Sequence, residues 1–265
     1  MTEPKAQAQT QAQTQPLAAR ARMYAALGEP VRLQIVDHLT YGDASPGELG
    51  AVTGLATNLL AFHLSTLEDA GLIRRVRSEG DGRRSYVQLR WDDATVATVV
   101  GAATTANPLA GQPVPRVLFV CTHNSARSQL AAASWSTMSE IPVASAGTHP
   151  AEQVHPKALD VARRHGLQVV RPSTHQVDQT LQPGDLVVAV CDNAHEELTA
   201  TPPQLTLTTP SGAVGRGWLH WAIPDPAWPG VRRIEQERIP LTLALAEAER
   251  LLTQTLGDHA IRARS

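Results

Sequence analysis

The 265-residue chain is expected to fold as two domains, a mainly α domain followed by an α/β domain, and three observations predict this. From about Leu17 to Ala106 the apolar residues recur at helical spacing in short runs, and a single Arg-rich stretch alternates as strands do. Then comes Asn107 to Pro115, whose prolines and glycine read as a short, fairly stiff linker. Beyond it the pattern changes: the apolar run Val117 to Val120 passes through Cys121 and a polar loop into a helix near Ala126, and a second strand-like run spans Asp185 to Val190. The expected boundaries are a disordered tail at 1–16, a first domain at 17–106, a linker at 107–115, a second domain at 116–256 and a flexible end at 257–265.

Composition sets the class. The tail from Met1 to Pro16 alternates Gln, Ala and Thr with almost nothing bulky, which cannot build a core. It has neither the basic start nor the apolar centre of a secretory signal, and no segment approaches the apolar length of a membrane span. A cytoplasmic protein without a membrane partner is expected. Two cysteines give no disulfide framework, in keeping with a reducing compartment. The ten histidines are scattered, none in a metal-binding pair, and His155 and His165 read as surface residues. No metal is expected.

In the first domain, Gly28-Glu29-Pro30 separates the first helix from the second. Ser45-Pro46-Gly47-Glu48 forms a capping box with proline at the first helical position and opens the third. Gly54 to Thr57 gives a short turn. A fourth helix from about Thr57 to Ala70 buries Leu60, Leu64 and Leu67, and ends at Gly71. Its outward positions near the start are Thr57, Asn58, Ala61 and Phe62, with His63 alongside. A hairpin from Leu72 to Leu89 turns at Glu79-Gly80-Asp81-Gly82 and carries Arg74, Arg75, Arg77, Arg83 and Arg84, and a fifth helix spans about Trp91 to Thr105. This is the pattern of a winged helix-turn-helix. The arginines read either as a wing on DNA phosphates or as a solvated charge run, because Glu79 and Asp81 interrupt them.

The segments Ala26-Leu27-Gly28-Glu29-Pro30-Val31-Arg32-Leu33-Gln34-Ile35 and His63-Leu64-Ser65-Thr66-Leu67-Glu68-Asp69-Ala70-Gly71-Leu72-Ile73 resemble the ArsR repressor family. The resemblance implies a homodimer on double-stranded operator DNA, with Thr57, Asn58, Ala61, Phe62 and His63 at the bases and Arg75, Arg77, Arg83 and Arg84 on the wing. Arsenite-responsive members carry cysteines at the start of the third helix, which here reads Ser45 to Gly50 without a thiol. The fifth helix has no histidine for a zinc-type site. Any arsenic or redox signal is therefore expected to originate in the second domain.

That domain contains a Cys-x5-Arg-Ser loop, Cys121-Thr122-His123-Asn124-Ser125-Ala126-Arg127-Ser128. A tight loop entering a helix aims backbone N–H groups at one point and binds an anion there. With a guanidinium opposite, such a field favours thiolate over thiol and can lower a cysteine pKa from about 8.5 to well below 7. Cys121 is the candidate nucleophile, Arg127 the two-point oxyanion ligand, and the Ser128 hydroxyl a donor to the thiolate. The plain alternative is a buried cysteine closing a core strand.

Cys-x5-Arg-Ser after an apolar strand resembles the low-molecular-weight protein tyrosine phosphatases and the arsenate reductases built on that fold. The resemblance covers about residues 116–256 and implies a central parallel sheet. It makes Val143 to Thr148 the second strand, His155-Pro156 to Gly166 the next helix, and Asp225-Pro226 the acid loop, with Asp225 the general acid. In such reductases a second cysteine attacks the first after arsenate is bound covalently. Cys191 fits that role, or is a small packed hydrophobe. Ala227-Trp228 after Pro226, and Ala126 where the phosphatases usually carry a second cysteine, lean away from phosphotyrosine. Thioredoxin-coupled members have a third cysteine, whereas Asp192 to Leu198 contains none, so an external reductant is expected: a low-molecular-weight thiol or a thioredoxin- or glutaredoxin-type protein. The expected function is an arsenic-resistance regulator fused to an arsenate reductase. The alternatives are a phosphatase fused to a regulator, or a catalytically weak repressor that senses arsenate or oxidation at Cys121.

Overall fold

The computed structural model describes residues 17–103, 114–169, 173–201 and 218–223. Outside these lie the expected tail, residues 107–113 of the linker, the acid loop at Asp225-Pro226 and the C-terminal residues. The chain divides into two compact units. Of the described residues, 17–40, 44–76 and 87–103 form the first; 41–43, 77–86 and those from 114 onward form the second.

The first unit contains helix α1 (17–27), α2 (Pro30–Leu39), α3 (Pro46–Thr53), α4 (Thr57–Asp69) and α5 (Ala94–Ala103). Several boundaries have a local cause. Pro30 and Pro46 sit where a missing N–H costs nothing, and the Glu29 side chain accepts from the Arg32 amide at the head of α2. At α3 the capping box is complete: Ser45 Oγ accepts from Glu48 N at 3.2 Å and Glu48 Oε2 accepts from Ser45 N at 2.8 Å. Gly54 ends α3 at φ 69° and Gly71 follows α4 at φ 79°, a left-handed conformation that glycine adopts without strain. α5 begins later than its expected start at Trp91, because Asp93 Oδ1 accepts from Thr95 N at 2.8 Å and caps the helix there. Ile35, Val36, Leu49, Leu60, Leu64, Leu67, Val96, Val99 and Val100 form the interior. Strands β1 (Ile73–Arg77) and β2 (Ser85–Leu89) pair as the hairpin, and Ala44 bridges antiparallel to Val87 as a short third rung. This is a helical unit with the winged helix-turn-helix arrangement.

The second unit is α/β. Strands β3 (Arg116–Cys121), β4 (Val143–Gly147), β5 (Asp185–Ala189) and β6 (Trp218–His220) form one parallel sheet in the order β4-β3-β5-β6. Helices α6 (Arg127–Met138), α7 (Pro156–Arg164), α8 (Val177–Thr180) and α9 (Asp192–Ala200) connect them. A strand buried on both faces has no reason to alternate, and Val117, Leu118, Phe119 and Val120 are all fully buried. Phe119 packs against Trp135 of α6 and against Trp221, at centroid distances of 6.2 and 5.9 Å. Arg116 is held by Asp185 on the neighbouring strand through two contacts, 2.8 and 2.6 Å, which align β3 with β5 at their N-terminal ends. From β3 the chain crosses to β4 on one side, and then to β5 on the other. The carboxyl end of β3 is thus a topological switch point, where open α/β sheets leave a crevice. Cys121 is its last residue.

Candidate active site

The loop after β3 is shaped by who takes its carbonyls. The oxygens of Cys121, Thr122, His123 and Ser125 accept from the amides of Thr148, His149, Ala151 and His155 at 2.8–3.1 Å. Since the carbonyl and the following N–H of a trans peptide point in opposite directions, this turns the amides of Thr122, His123, Asn124 and Ala126 away from residues 148–155. The N-terminus of α6 begins at Arg127 and adds its own amides and dipole. These amides and the head of α6 are the backbone donors of the candidate anion site.

Asn124 locks this shape. It is fully buried and has φ 48°, a left-handed conformation that Asn tolerates better than most residues. Its Oδ1 accepts from the His175 amide at 2.8 Å and from Gln129 Nε2 at 3.2 Å, so its Nδ2 donates to Ser128 Oγ at 2.8 Å. Gln129 Nε2 also donates to the Asn124 and Ser173 carbonyls. Ser128 Oγ is 3.1 Å from Cys121 Sγ. With Asn124 Nδ2 on one lone pair of that hydroxyl, its proton and its second lone pair remain for the sulfur, and either atom can be the donor.

Gly147 sets the floor. It is the β4 partner of Cys121, and a Cβ there would stand 2.7 Å from the Thr122 carbonyl oxygen and 2.9 Å from the Asn124 nitrogen. Only glycine lets the loop come this close.

Arg127 is almost fully enclosed, its side chain 10% exposed. Its Nη1 donates to the Ile223 carbonyl at 3.1 Å and to Glu79 Oε2 at 2.6 Å. Cys191, on the adjacent strand's exit, occupies the N-cap of α9 and is fully buried. Its Sγ lies 3.5 Å from Thr122 Oγ1, inside the same loop. Burial pushes the Cys191 thiol above the usual range and Cys121 adds to this, while Arg127 and the Thr122 hydroxyl pull it down. Cys191 therefore feels both Cys121 and the Arg127 guanidinium.

The structure brings Cys121, Thr122, Asn124, Ser128, Arg127 and Cys191 together at one strand end. His123 is exposed, with Nδ1 3.0 Å from the His149 carbonyl, and Ser125 and Ala126 contribute backbone to the loop. Asp225 lies outside the described residues. Sequence reasoning missed Gly147, Gln129 and Glu79. An isolated glycine closing a strand signals close backbone approach, so Gly147 was within reach; nothing local marks Glu79, which is 48 residues from Arg127 in the chain.

In the first unit, Thr57, Asn58, Ala61 and Phe62 form an exposed face at the start of α4, and Leu59 joins them. His63 does not belong to it. It is 7% exposed and its Nδ1 faces Glu29 Oε2 at 3.4 Å, because position 63 falls on the same helix face as Leu60 and Leu67. Arg75 pairs with Glu68; among residues 77–86, which belong to the second unit, Arg83 and Arg84 both pair with Asp81 and Arg77 is exposed at the end of β1. His155 is exposed as expected, and its Nδ1 accepts from the Lys157 amide to cap α7.

The profile of the family described as low molecular weight phosphotyrosine protein phosphatase matches residues 116–239, and a helix-turn-helix domain profile matches residues 27–76. Arsenate reductase 2 of Staphylococcus epidermidis is 30% identical over 128 residues, 46% of this chain and 88% of that protein. The chain belongs to the low molecular weight phosphotyrosine protein phosphatase family. Among solved structures, an arsenate reductase from Archaeoglobus fulgidus shares 26% identity with a TM-score of 0.37, covering 51% of this chain and 98% of that one. The homodimeric winged helix-turn-helix domain of a possible ArsR-family regulator from Mycobacterium bovis shares 27% identity with a TM-score of 0.30, covering 34% of this chain and 79% of that one. No helix among the described residues is long and apolar enough to cross a membrane.

Proposed function

We propose that this chain is an arsenic-responsive transcriptional regulator carrying an arsenate reductase domain. The observation that carries the reductase reading is the second thiol at the cradle: Cys191 Sγ lies 3.5 Å from the hydroxyl of Thr122, the residue next to Cys121. A phosphatase cycle has no use for it. Arsenate enters the loop, where Arg127 and the backbone amides hold its oxygens. The Cys121 thiolate attacks arsenic, and an oxygen leaves as water with a proton for which Asp225 is the proposed donor. The Cys191 thiolate then attacks Cys121 Sγ; the electron pair of the S–As bond goes to arsenic, releasing arsenite and leaving a Cys121–Cys191 disulfide. An external thiol, of low molecular weight or thioredoxin or glutaredoxin type, reduces it.

The helix-turn-helix unit supports DNA binding through the exposed start of α4. Leu17 and Tyr24, seven residues apart on one face of α1, are 57% and 47% exposed and suit a dimer partner on a palindromic operator. A cytoplasmic location accompanies this reading. Arsenite release measured against several thiol donors tests it: wild type reduces arsenate, Cys121→Ser does not, and Cys191→Ser stalls after one covalent event. Arsenate reduction by Cys121→Ser would refute the mechanism, and aryl phosphate turnover that outpaces arsenate reduction would favour the phosphatase alternative.

A further inference from the structure

The tip of the β1–β2 hairpin belongs to the second unit, and its anchors converge on the cradle. Ser78 Oγ donates to Glu196 Oε1 at 2.7 Å, the Asp81 amide donates to Glu196 Oε2 at 3.1 Å, and the Glu79 amide donates to Asp192 Oδ2 at 2.8 Å. These place Glu79 beside Arg127, whose Nη1 it holds at 2.6 Å. A carboxylate is the planar anion that best matches a guanidinium, and a short contact to an enclosed arginine is charge-assisted. Arg127 is also the side chain that must face the incoming oxyanion.

We infer that Glu79 is an internal competitor for the oxyanion site: its carboxylate occupies Arg127, and a tetrahedral oxyanion must displace it to bind. The inference rests on Arg127 being the oxyanion ligand of the proposed reductase. Two consequences follow. Glu79 sets the concentration at which the site fills, since apparent affinity falls by the fraction of time Arg127 is occupied. Displacement also removes one of the ties that hold the hairpin tip carrying Arg83 and Arg84, so oxyanion binding and tip position are linked in both directions. Whatever holds the tip elsewhere then tightens oxyanion binding by the same factor.

The test is calorimetric titration of the full chain with inorganic phosphate, and separately arsenate without reductant, for wild type, Glu79→Gln and Glu79→Asp. Both variants are expected to bind at least about fivefold tighter than wild type. The shorter aspartate keeps the charge but loses the reach, so it separates contact from general repulsion. Alongside, hydrogen exchange at the Glu79 and Asp81 amides is expected to quicken when phosphate is added to wild type. Equal affinities in all three proteins, tightening in Glu79→Gln alone, or no phosphate binding by any of them overturns the inference. Failure of the reductase reading looks different: the affinity ratio persists while no arsenite forms.

Discussion

Gly147→Ala is the sharpest probe of the cradle, because the added methyl meets backbone and not the end of a flexible side chain. Its Cβ would lie 2.7 Å from the Thr122 carbonyl oxygen, 2.9 Å from the Asn124 nitrogen and 3.1 Å from the Asn124 Cβ. Comfortable carbon contacts begin at about 3.5 Å, so the loop or β4 must retreat by roughly 0.5–1 Å. The loop is tied on its other side by the Asn124–Gln129–His175 network, which resists that movement. Overpacking of this kind costs about 1–3 kcal/mol in stability. A misplacement approaching 1 Å at reacting atoms costs up to about 100-fold in rate. The expected outcome is a folded protein with a lower urea midpoint and a kcat/KM for arsenate reduced roughly 10- to 100-fold. Gly82→Ala, where nothing lies within 4 Å of the added methyl, is the control and should be neutral in both assays. Wild-type stability together with wild-type kcat/KM in Gly147→Ala would refute the argument that this glycine exists for the loop's approach.

Three further outcomes are expected. Because the Cys191 thiol is held above its usual range, its thiolate fraction at neutral pH is small and grows about tenfold per pH unit, so the disulfide-forming step in single-turnover experiments should accelerate with pH to beyond the ordinary thiol value of about 8.5. The same sign applies to stability: the unfolded chain ionises first, so this group's contribution is present below the ordinary value and is lost as pH rises past it. Asp185→Asn leaves Arg116, 18% exposed, without its carboxylate partner and should lower unfolding free energy by about 3 kcal/mol in urea titrations, whereas Arg116→Met with Asp185→Leu should recover much of that loss. Ser45→Ala removes both the hydroxyl that accepts from Glu48 N and the tie to Glu48 Oε2, and should cost about 1 kcal/mol, read as a lower midpoint for loss of helical circular dichroism.

Elements with local causes were readable in the chain. The capping box at Ser45, the glycine stops at Gly54 and Gly71, the hairpin turn and the Cys-x5-Arg loop all rest on interactions within a few residues, and each stands where the pattern puts it. His63 was misread, because its neighbours in sequence are exposed while its place on the helix turns inward toward Glu29. The start of α5 moved from Trp91 to Ala94 for a similarly small reason, an aspartate cap at Asp93.

What the sequence by itself determined is the division into a helix-turn-helix half and an α/β half, the identity of Cys121 as the residue at a strand end, and a third helix that starts without a thiol and a fifth without a histidine. Spacing and composition suffice for these, since helix caps, strand runs and a strand–loop–helix cradle are built from short-range contacts. Tertiary structure alone decided which residues meet Cys121. The parallel order β4-β3-β5-β6 lays Gly147 on one side of it and Cys191 beyond the strand on the other, and it brings Asn124 onto the amide of His175. It also seats Glu79 on Arg127 across 48 residues of chain. Parallel neighbours are joined by long crossovers, so their contacts have no signature in any local window; the chemistry of the loop is written locally, and its control is a property of the fold.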